Sequence, residues 1–386
     1  MNDSIVSFLS EFAIYKAFVA SVSAKIGFDA TSLLTFVVFF IAVLLVVNVM
    51  ALIGGLGTYA ERKISADLQA RQGPNRVGPY GILQFLADGV KMITKEDIIP
   101  RMSDKFLFIV APLLCMVGVF ATLAVLPFAS GLMLTDLNIG VFYMLGVSSL
   151  VGVGIFLGGY ASNSKWSMLG GMRGAAQIIS YEIPVTLSIL AIVVLSGGLS
   201  MKTLVEGQLG VPWGWNIFHN PFTFIGFFVF FIGALAESNR APFDLPEAES
   251  ELVSGYHTEY TGMRFAFFAL AEYVEVFVLC GLAAALFLGG YLVPFNLGKG
   301  LPLLEQFLQL GSFVTKTLLL YYVVIWVRWT LPRLRVDQLM TLCWKYLTPI
   351  ALFNLIGCSF WMYFFEGKSL WVLLFKSGAK VAAGHH

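Results

Sequence analysis

The chain has 386 residues, of which 58% are hydrophobic and 12% charged, and its mean hydropathy is +0.82. Soluble domains carry about 25% charged residues, so this composition excludes a soluble globular protein and points to an integral membrane protein. Lys and Arg number 24 against 23 Asp and Glu, and a net charge of +1 gives no reason to expect nucleic acid or a strongly charged partner.

The amino-terminal extension, 1–32, lacks the positive start, compact apolar core and small-residue cleavage site of a signal peptide, so it reads as retained on the mature chain. Eight apolar runs follow, at 33–57, 106–128, 139–160, 184–200, 221–237, 264–291, 311–330 and 347–365. Each approaches the roughly 20 residues needed to cross a bilayer. The expected fold is an all-α integral membrane protein, a single polytopic domain over 1–386 with about eight transmembrane helices and both termini on one side. The fourth run opens at Pro184, a residue suited to a first helical turn. The seventh has Lys316 and Arg328 near its ends, where long side chains can snorkel toward water.

The first long loop, 58–104, turns through Gly73-Pro74-Asn75 and Gly78-Pro79. After those turns, Ile82, Leu83, Phe85, Leu86, Val90, Met92 and Ile93 fall largely on one helical face, with Gln84, Asp88, Lys91 and Lys95 opposite. This pattern predicts an amphipathic helix in the membrane interface; a surface helix packed on the protein's own loops fits it equally. Cytoplasmic loops retain Lys and Arg. Loops 58–104, 161–183, 238–262 and 331–346 hold Arg62, Lys63, Arg71, Arg76, Lys91, Lys95, Arg101, Lys165, Arg173, Arg240, Arg333, Arg335 and Lys345, whereas the opposite loops hold Lys202 and Lys299. The first set is therefore expected to be structured cytoplasmic loops, with both termini outside.

An ionisable group at membrane depth is costly unless it pairs, faces a polar cavity or takes up a proton. Glu182 in IISYEIP, Glu237 at the end of the fifth run, and Glu272 and Glu275 in the sixth are the candidates. Glu272 and Glu275 are three residues apart and share a helix face. Carboxyl groups in such surroundings can relay protons. The plainer readings are that Glu182 and Glu237 cap helix ends in the headgroup layer, and that Arg264 neutralises Glu272 and Glu275. The acidic loop 238–262 adds Asp244, Glu247, Glu249 and Glu251 beside Arg240, with Pro242 and Pro246 fixing the chain and Leu245, Leu252, Val253 and Tyr256 as anchors. His257 either joins that cluster or is simply solvated.

Cys115, Cys280, Cys343 and Cys358 are scattered, with no zinc or iron-sulfur spacing, and the chain has neither a GxxxxGK[ST] loop nor a strand-borne GxGxxG. No metal, cofactor or nucleotide is expected on this chain itself. No fixed-period repeat is visible, which disfavours a stand-alone proton or cation transporter.

AERKISADLQARQGPNRVGPYGILQFLADGVKMITKE (60–96) and AESNRAPFDLPEAESELVSGYHTEY (236–260) closely resemble the hallmark segments of the ND-one-type membrane subunits of respiratory complex I, the H-type component of bacterial NADH-quinone oxidoreductases. GGMRGAAQIISYEIP (170–184) and FFALAEYVEVF (267–277) match as well, and the resemblance runs from about 30 to 365, leaving the tail 366–386 outside it. The resemblance implies a subunit without a redox centre or catalytic residue of its own, forming much of the quinone-binding tunnel of a proton-translocating NADH:quinone reductase. Quinone would be the substrate, with FMN and iron-sulfur clusters in partner subunits. The partners would be peripheral-arm quinone-module subunits, small membrane-arm subunits and lipid, in a bacterial inner membrane. By position, Glu182, Glu237, Glu272 and Glu275 would transfer protons, while Arg62, Arg71, Arg76, Arg240, Asp244, Glu247, Glu249 and Glu251 would line or adjoin the quinone cavity. Membrane-bound hydrogenase-type complexes carry a homologous subunit and are the alternative; the intact QARQGPNRVGPYG favours the quinone enzyme.

Overall fold

The structure is a computed structural model and describes residues 30–208, 211–247, 249–294 and 302–365. The expected extension up to residue 29, Lys299 and the tail 366–386 lie outside the described residues, as does the side chain of Glu249. The chain divides into two compact units, Met1–Leu52 and Ile53–His386. In the first, the described residues form the leading part of helix α1 (Ala30–Leu68), where the Asn48 side-chain amide donates to the Leu44 carbonyl at 2.8 Å. A polar donor in an apolar helix is thereby satisfied within the helix itself.

In the second unit the described regular elements are helices: the remainder of α1, α2 (Gln84–Thr94), α3 (Lys105–Leu123), α4 (Gly140–Ala161), α5 (Lys165–Ser196), α6 (Met201–Glu206), α7 (Pro221–Glu237), α8 (Glu249–Leu252), α9 (Gly262–Phe287), α10 (Pro302–Thr330), α11 (Val336–Thr341) and α12 (Thr348–Phe365). A π-helical stretch, Leu342–Leu347, joins α11 to α12. Among the described residues seven helices are long and apolar enough to cross a membrane, and α7 is a shorter apolar helix of 17 residues. The protein is thus an all-α, multi-pass membrane protein. Helix α9 is the most enclosed span and packs on α3, α7 and α10, while α5 packs on α4, α7 and α12.

Several boundaries differ from those expected from the apolar runs, and two of them bear on the site. Helix α1 continues through AERKISADL to Leu68, so the start of the expected 58–104 loop is helical. More consequentially, α5 begins at Lys165, so the expected loop 161–183 is almost wholly its first half. The glycines in that half are contact surfaces rather than turns. A Cβ on Gly159 of α4 would lie 2.6 Å from Ser167 O and 2.9 Å from Gly171 Cα, an approach that only glycine permits. Pro184 is correspondingly inside the helix, not at its start. Proline has no N–H to offer the carbonyl four residues back. That carbonyl, Ser180 O, instead accepts from the Cys343 thiol at 3.0 Å.

Helix α2 turns Phe85 toward α1, where a Cβ on Gly55 would lie 2.7 Å from the Phe85 ring, and turns Leu86, Val90 and Ile93 outward. The outward residues, spaced four and three apart, form the stripe that an interfacial amphipathic helix presents to lipid.

Candidate functional site

The segment between α7 and α9 is held inward by apolar anchors and one glutamine. Phe243, Leu245, Leu252 and Tyr256 are buried. The Gln177 side-chain amide of α5 donates to Ala236 O at 2.7 Å, Phe243 O at 2.8 Å and Asn239 Oδ1 at 3.2 Å. The two arms of the segment meet at Gly255, whose φ is +59° and where a Cβ would lie 1.6 Å from Pro246 O. Only glycine lets the chain close there, and the closure brings His257 beside Glu247.

Two charged groups result. In the first, Glu61 of α1 receives Arg240 Nη1 on Oε2 at 3.3 Å and Arg328 Nη1 of α10 on Oε1. Glu61 and Arg240 are 8% and 6% exposed, and the Arg240 guanidinium stands 4.2 Å from the centre of the Tyr273 ring. Burial by itself disfavours the charged guanidinium, yet Glu61, reinforced by Tyr273 and Glu272, holds the Arg240 pKa well above its ordinary value. Asp244 lies in the electrostatic field of these arginines. Its burial and the neighbouring Glu247 push its pKa up to about 6, against the opposing pull of Arg328, Arg333 and Arg240.

In the second group, His257 Nε2 is 3.1 Å from Glu247 Oε1, Glu247 is in hydrogen-bond contact with Glu272, and the Tyr256 hydroxyl donates to Glu272 Oε1 at 2.8 Å. Burial raises the Glu247 pKa, but the His257 hydrogen bond and charge, together with Glu272 and Arg240, more than reverse this and hold it low. Burial and the Glu272 and Glu247 carboxylates keep the Tyr256 phenol protonated far above its ordinary range, so it remains a donor. Two carboxyl groups in direct hydrogen-bond contact share one proton.

Deeper among the helices, Glu237 and Glu275 are 4% and 5% exposed and line one cavity of about 30 Å³ with Thr122, Ser148 and apolar side chains. Glu275 Oε2 has no hydrogen-bond partner. Glu182, half-buried on α5, is an electrostatic neighbour of Glu237, and Cys115 is a neighbour of both Glu272 and Glu275.

The structure therefore brings Arg240, Asp244, Glu247 and Glu272 together and joins Glu237 to Glu275. It keeps other candidates apart from them. Arg62 pairs with Asp88 of α2, and Arg71 and Arg76 are exposed. Glu251 is bound by Arg173 at 2.6 Å and lies 3.7 Å from Arg333, and the Arg173 hydrogen bond holds its carboxyl below the usual range. Arg264, a possible neutraliser of Glu272 and Glu275, pairs with Asp97 at 3.1 Å instead. Sequence reasoning missed Glu61 altogether and assigned Arg328 to snorkelling. The available signal was an acidic residue one turn beyond Gly57 on an apolar helix and a basic residue at the end of another, each costly alone at that depth. Lys316 does not snorkel either: its Nζ donates to Gly290 O and Leu292 O, both at 2.9 Å, and stands 4.5 Å from the Trp215 ring centre. Among the described residues no group of three or more His, Cys, Asp and Glu is arranged to hold a metal ion.

The sequence model of a family described as NADH dehydrogenase matches residues 32–359. The chain belongs to this family. Similar proteins include an NADH-quinone oxidoreductase subunit of Anaeromyxobacter dehalogenans, 48% identical over 331 residues that cover 82% of this chain and 80% of that protein. NADH-quinone oxidoreductase subunit 8 of Rhodothermus marinus is 48% identical over 322 residues, 81% of this chain and 93% of that protein. An NADH-quinone oxidoreductase subunit of Brevibacillus brevis is 48% identical over 313 residues, 80% of this chain and 90% of that protein. The match to the NADH dehydrogenase family takes in every side chain of both charged groups and of the Glu237–Glu275 cavity.

Proposed function

We propose that this chain is a membrane subunit of a proton-translocating NADH-quinone oxidoreductase, in which it forms much of the quinone-binding tunnel and the acidic path that couples quinone reduction to proton movement. Membership of the NADH dehydrogenase family and the names of the relatives support the complex. The observation that carries the coupling role is the run of carboxyl groups from the segment after α7 into the spans: Asp244, Glu247 in contact with Glu272, then Glu275 and Glu237 on one cavity, with Glu182 beside Glu237.

Reduction of a quinone to a quinol takes up two protons and changes the charge beside the site. Asp244, with a pKa near 6, exchanges its proton close to neutral pH and responds to such a change. Glu247 and Glu272 share a proton, so altering the charge at one moves the proton on the other. Arg240 fixes the positive side of the site through Glu61, while Arg62 on α1, paired with Asp88, and the exposed Arg71 and Arg76 stand apart from it and are left to meet quinone or a partner subunit. Glu249 and Glu251 belong to the same acidic segment. In this reading the chain supplies no redox centre; FMN and iron-sulfur clusters reside in peripheral partner subunits. The Lys- and Arg-rich connections face the cytoplasm of a bacterial cell, with both termini outside the inner membrane.

The test is Glu237→Gln and Glu272→Gln in the intact complex. Each is expected to reduce coupled quinone reductase activity sharply while the complex still assembles. Normal turnover and normal pumping in both variants would remove the relay. Purification in mild detergent tests the assembly: flavin and iron-sulfur proteins are expected to accompany the chain, and a chain that runs alone or only with itself would contradict it.

A further inference from the structure

One titratable group at the junction of loop and span has no part in that reading. His257 ends the turn Gly255–His257, with its ring edge-on to Phe265 (centroids 5.2 Å apart) and 5.0 Å from the Tyr256 ring. Its Nε2 faces Glu247 at 3.1 Å, and its Nδ1 is buried without a hydrogen-bond partner. The contacts therefore continue in single file from His257 to Glu247 to Glu272, with the Tyr256 hydroxyl on the far carboxyl.

The other charges nearby are committed elsewhere or act at a distance, as Asp244 does on Glu247. Arg264 of α9 is bound to Asp97. Helix α5, packed on the same turn, directs Arg173 to Glu251. Helix α4, also packed on it, carries no Asp, Glu, Lys, Arg or His. Tyr260 stacks on Phe108, and its phenol, raised chiefly by burial, stays neutral. Arg240 acts on Glu247 only as a charge at a distance. The ionic state of His257 is thus the variable that Glu247 experiences at contact range.

An imidazolium beside Glu247 favours the anion there, which leaves the proton of the carboxyl pair on Glu272. A neutral imidazole still donates a hydrogen bond from Nε2 but brings no charge, so the shared proton is free to rest on either carboxyl. We propose that His257 is the positioning residue that decides whether the proton shared by Glu247 and Glu272 rests on the loop or inside the span. The proton balance is simple: with His257 charged, the three groups hold two protons, on the imidazole and on Glu272. With His257 neutral they hold one between the two carboxyls, the other having been released to bulk water. This rests on the proton path proposed above.

The experiment uses the whole complex, with His257→Asn and His257→Lys measured for assembly, for the pH profile of NADH:quinone reductase activity between about pH 5.5 and 8.5, and for proton pumping in vesicles. His257→Asn is expected to remove an inflection from the profile and to reduce pumping several-fold. His257→Lys, which keeps the charge, is expected to retain pumping and to move the inflection to higher pH. An unchanged profile and unchanged pumping in His257→Asn overturns the proposal, as does equal impairment of both variants with the inflection in place, the outcome of a merely structural role. Should His257→Asn not assemble, His257→Gln is measured against the same expectations. Loss of pumping in Glu272→Gln alongside an indifferent His257→Asn refutes this inference alone, whereas normal pumping in Glu272→Gln refutes the path itself.

Discussion

The two places where carboxyl groups are buried are built on opposite terms. Around Glu61 and Glu247 three acids have a base or a donor in contact, Arg240 and Arg328 on Glu61, His257 on Glu247 and Tyr256 on Glu272, while Asp244 Oδ1 is buried without a partner. Around Glu237 and Glu275 there is a cavity of about 30 Å³ with no cation in its lining, and Arg240 reaches Glu275 only as a charge at a distance. Such a volume holds about one or two waters, and the partnerless Glu275 Oε2 is the kind of polar atom that water satisfies. Fixed charges are costly to move and keep their geometry; carboxyl groups without counter-charge are cheap to reprotonate. On the function proposed above, the first region would sense the substrate and the second would pass a proton on.

This contrast breaks most visibly at Glu61. Glu61→Gln leaves the buried Arg240 and the half-buried Arg328 without their shared anion; removing one partner of a buried pair costs about 3–5 kcal/mol, and the partial exposure of Arg328 places the loss toward the lower end. A fall in the thermal midpoint of the purified complex measures it, and an unshifted midpoint would show the triad to be dispensable. Asp244 sharpens the comparison through pH. A carboxyl with a raised native pKa binds its proton more tightly folded than unfolded. Its stabilising share is therefore whole below about pH 4 and is lost as pH rises through about 6. Partial exposure limits that share to about 1 kcal/mol. Proteolysis of the 238–262 segment is expected to be slower at about pH 5.5 than at about pH 7.5, and Asp244→Asn to lessen the difference. The smallest effect belongs to Arg62, whose pair with Asp88 is 49% and 25% exposed. Arg62→Ala is expected to shift stability by at most about 1 kcal/mol, and a larger shift in the melting curve would mean that the pair fixes α2 more firmly than its exposure implies.

Much of this was legible in the sequence, and the limits have physical causes. Apolar length identified the spans because lipid demands it, and Glu182, Glu237, Glu272 and Glu275 stood out because charge is rare there. The first half of α5 was hidden because GGMRGAAQ carries the same residues that make turns, and only the partner helix α4 reveals that they serve close packing. Glu61 was hidden by its neighbours: in AERK it reads as the start of a charged loop, and its role depends on Arg240 and Arg328, far away in sequence. The contact of His257 with Glu247 was equally unreadable, since it depends on the backbone closing at Gly255. Periodicity reports which face a residue occupies, not which other segment will meet it.

The brevity of α7 has a last consequence. Its 17 residues rise about 25 Å, some 5 Å less than the hydrocarbon thickness of an ordinary bilayer. Glu237 closes this helix, and Ser238, Asn239 and Arg240, which follow it, are buried in protein rather than extended into solvent. Non-helical backbone at that depth survives only where protein or water satisfies it. The apolar run of this helix therefore ends at a carboxyl group and gives way at once to polar residues that are still enclosed by protein.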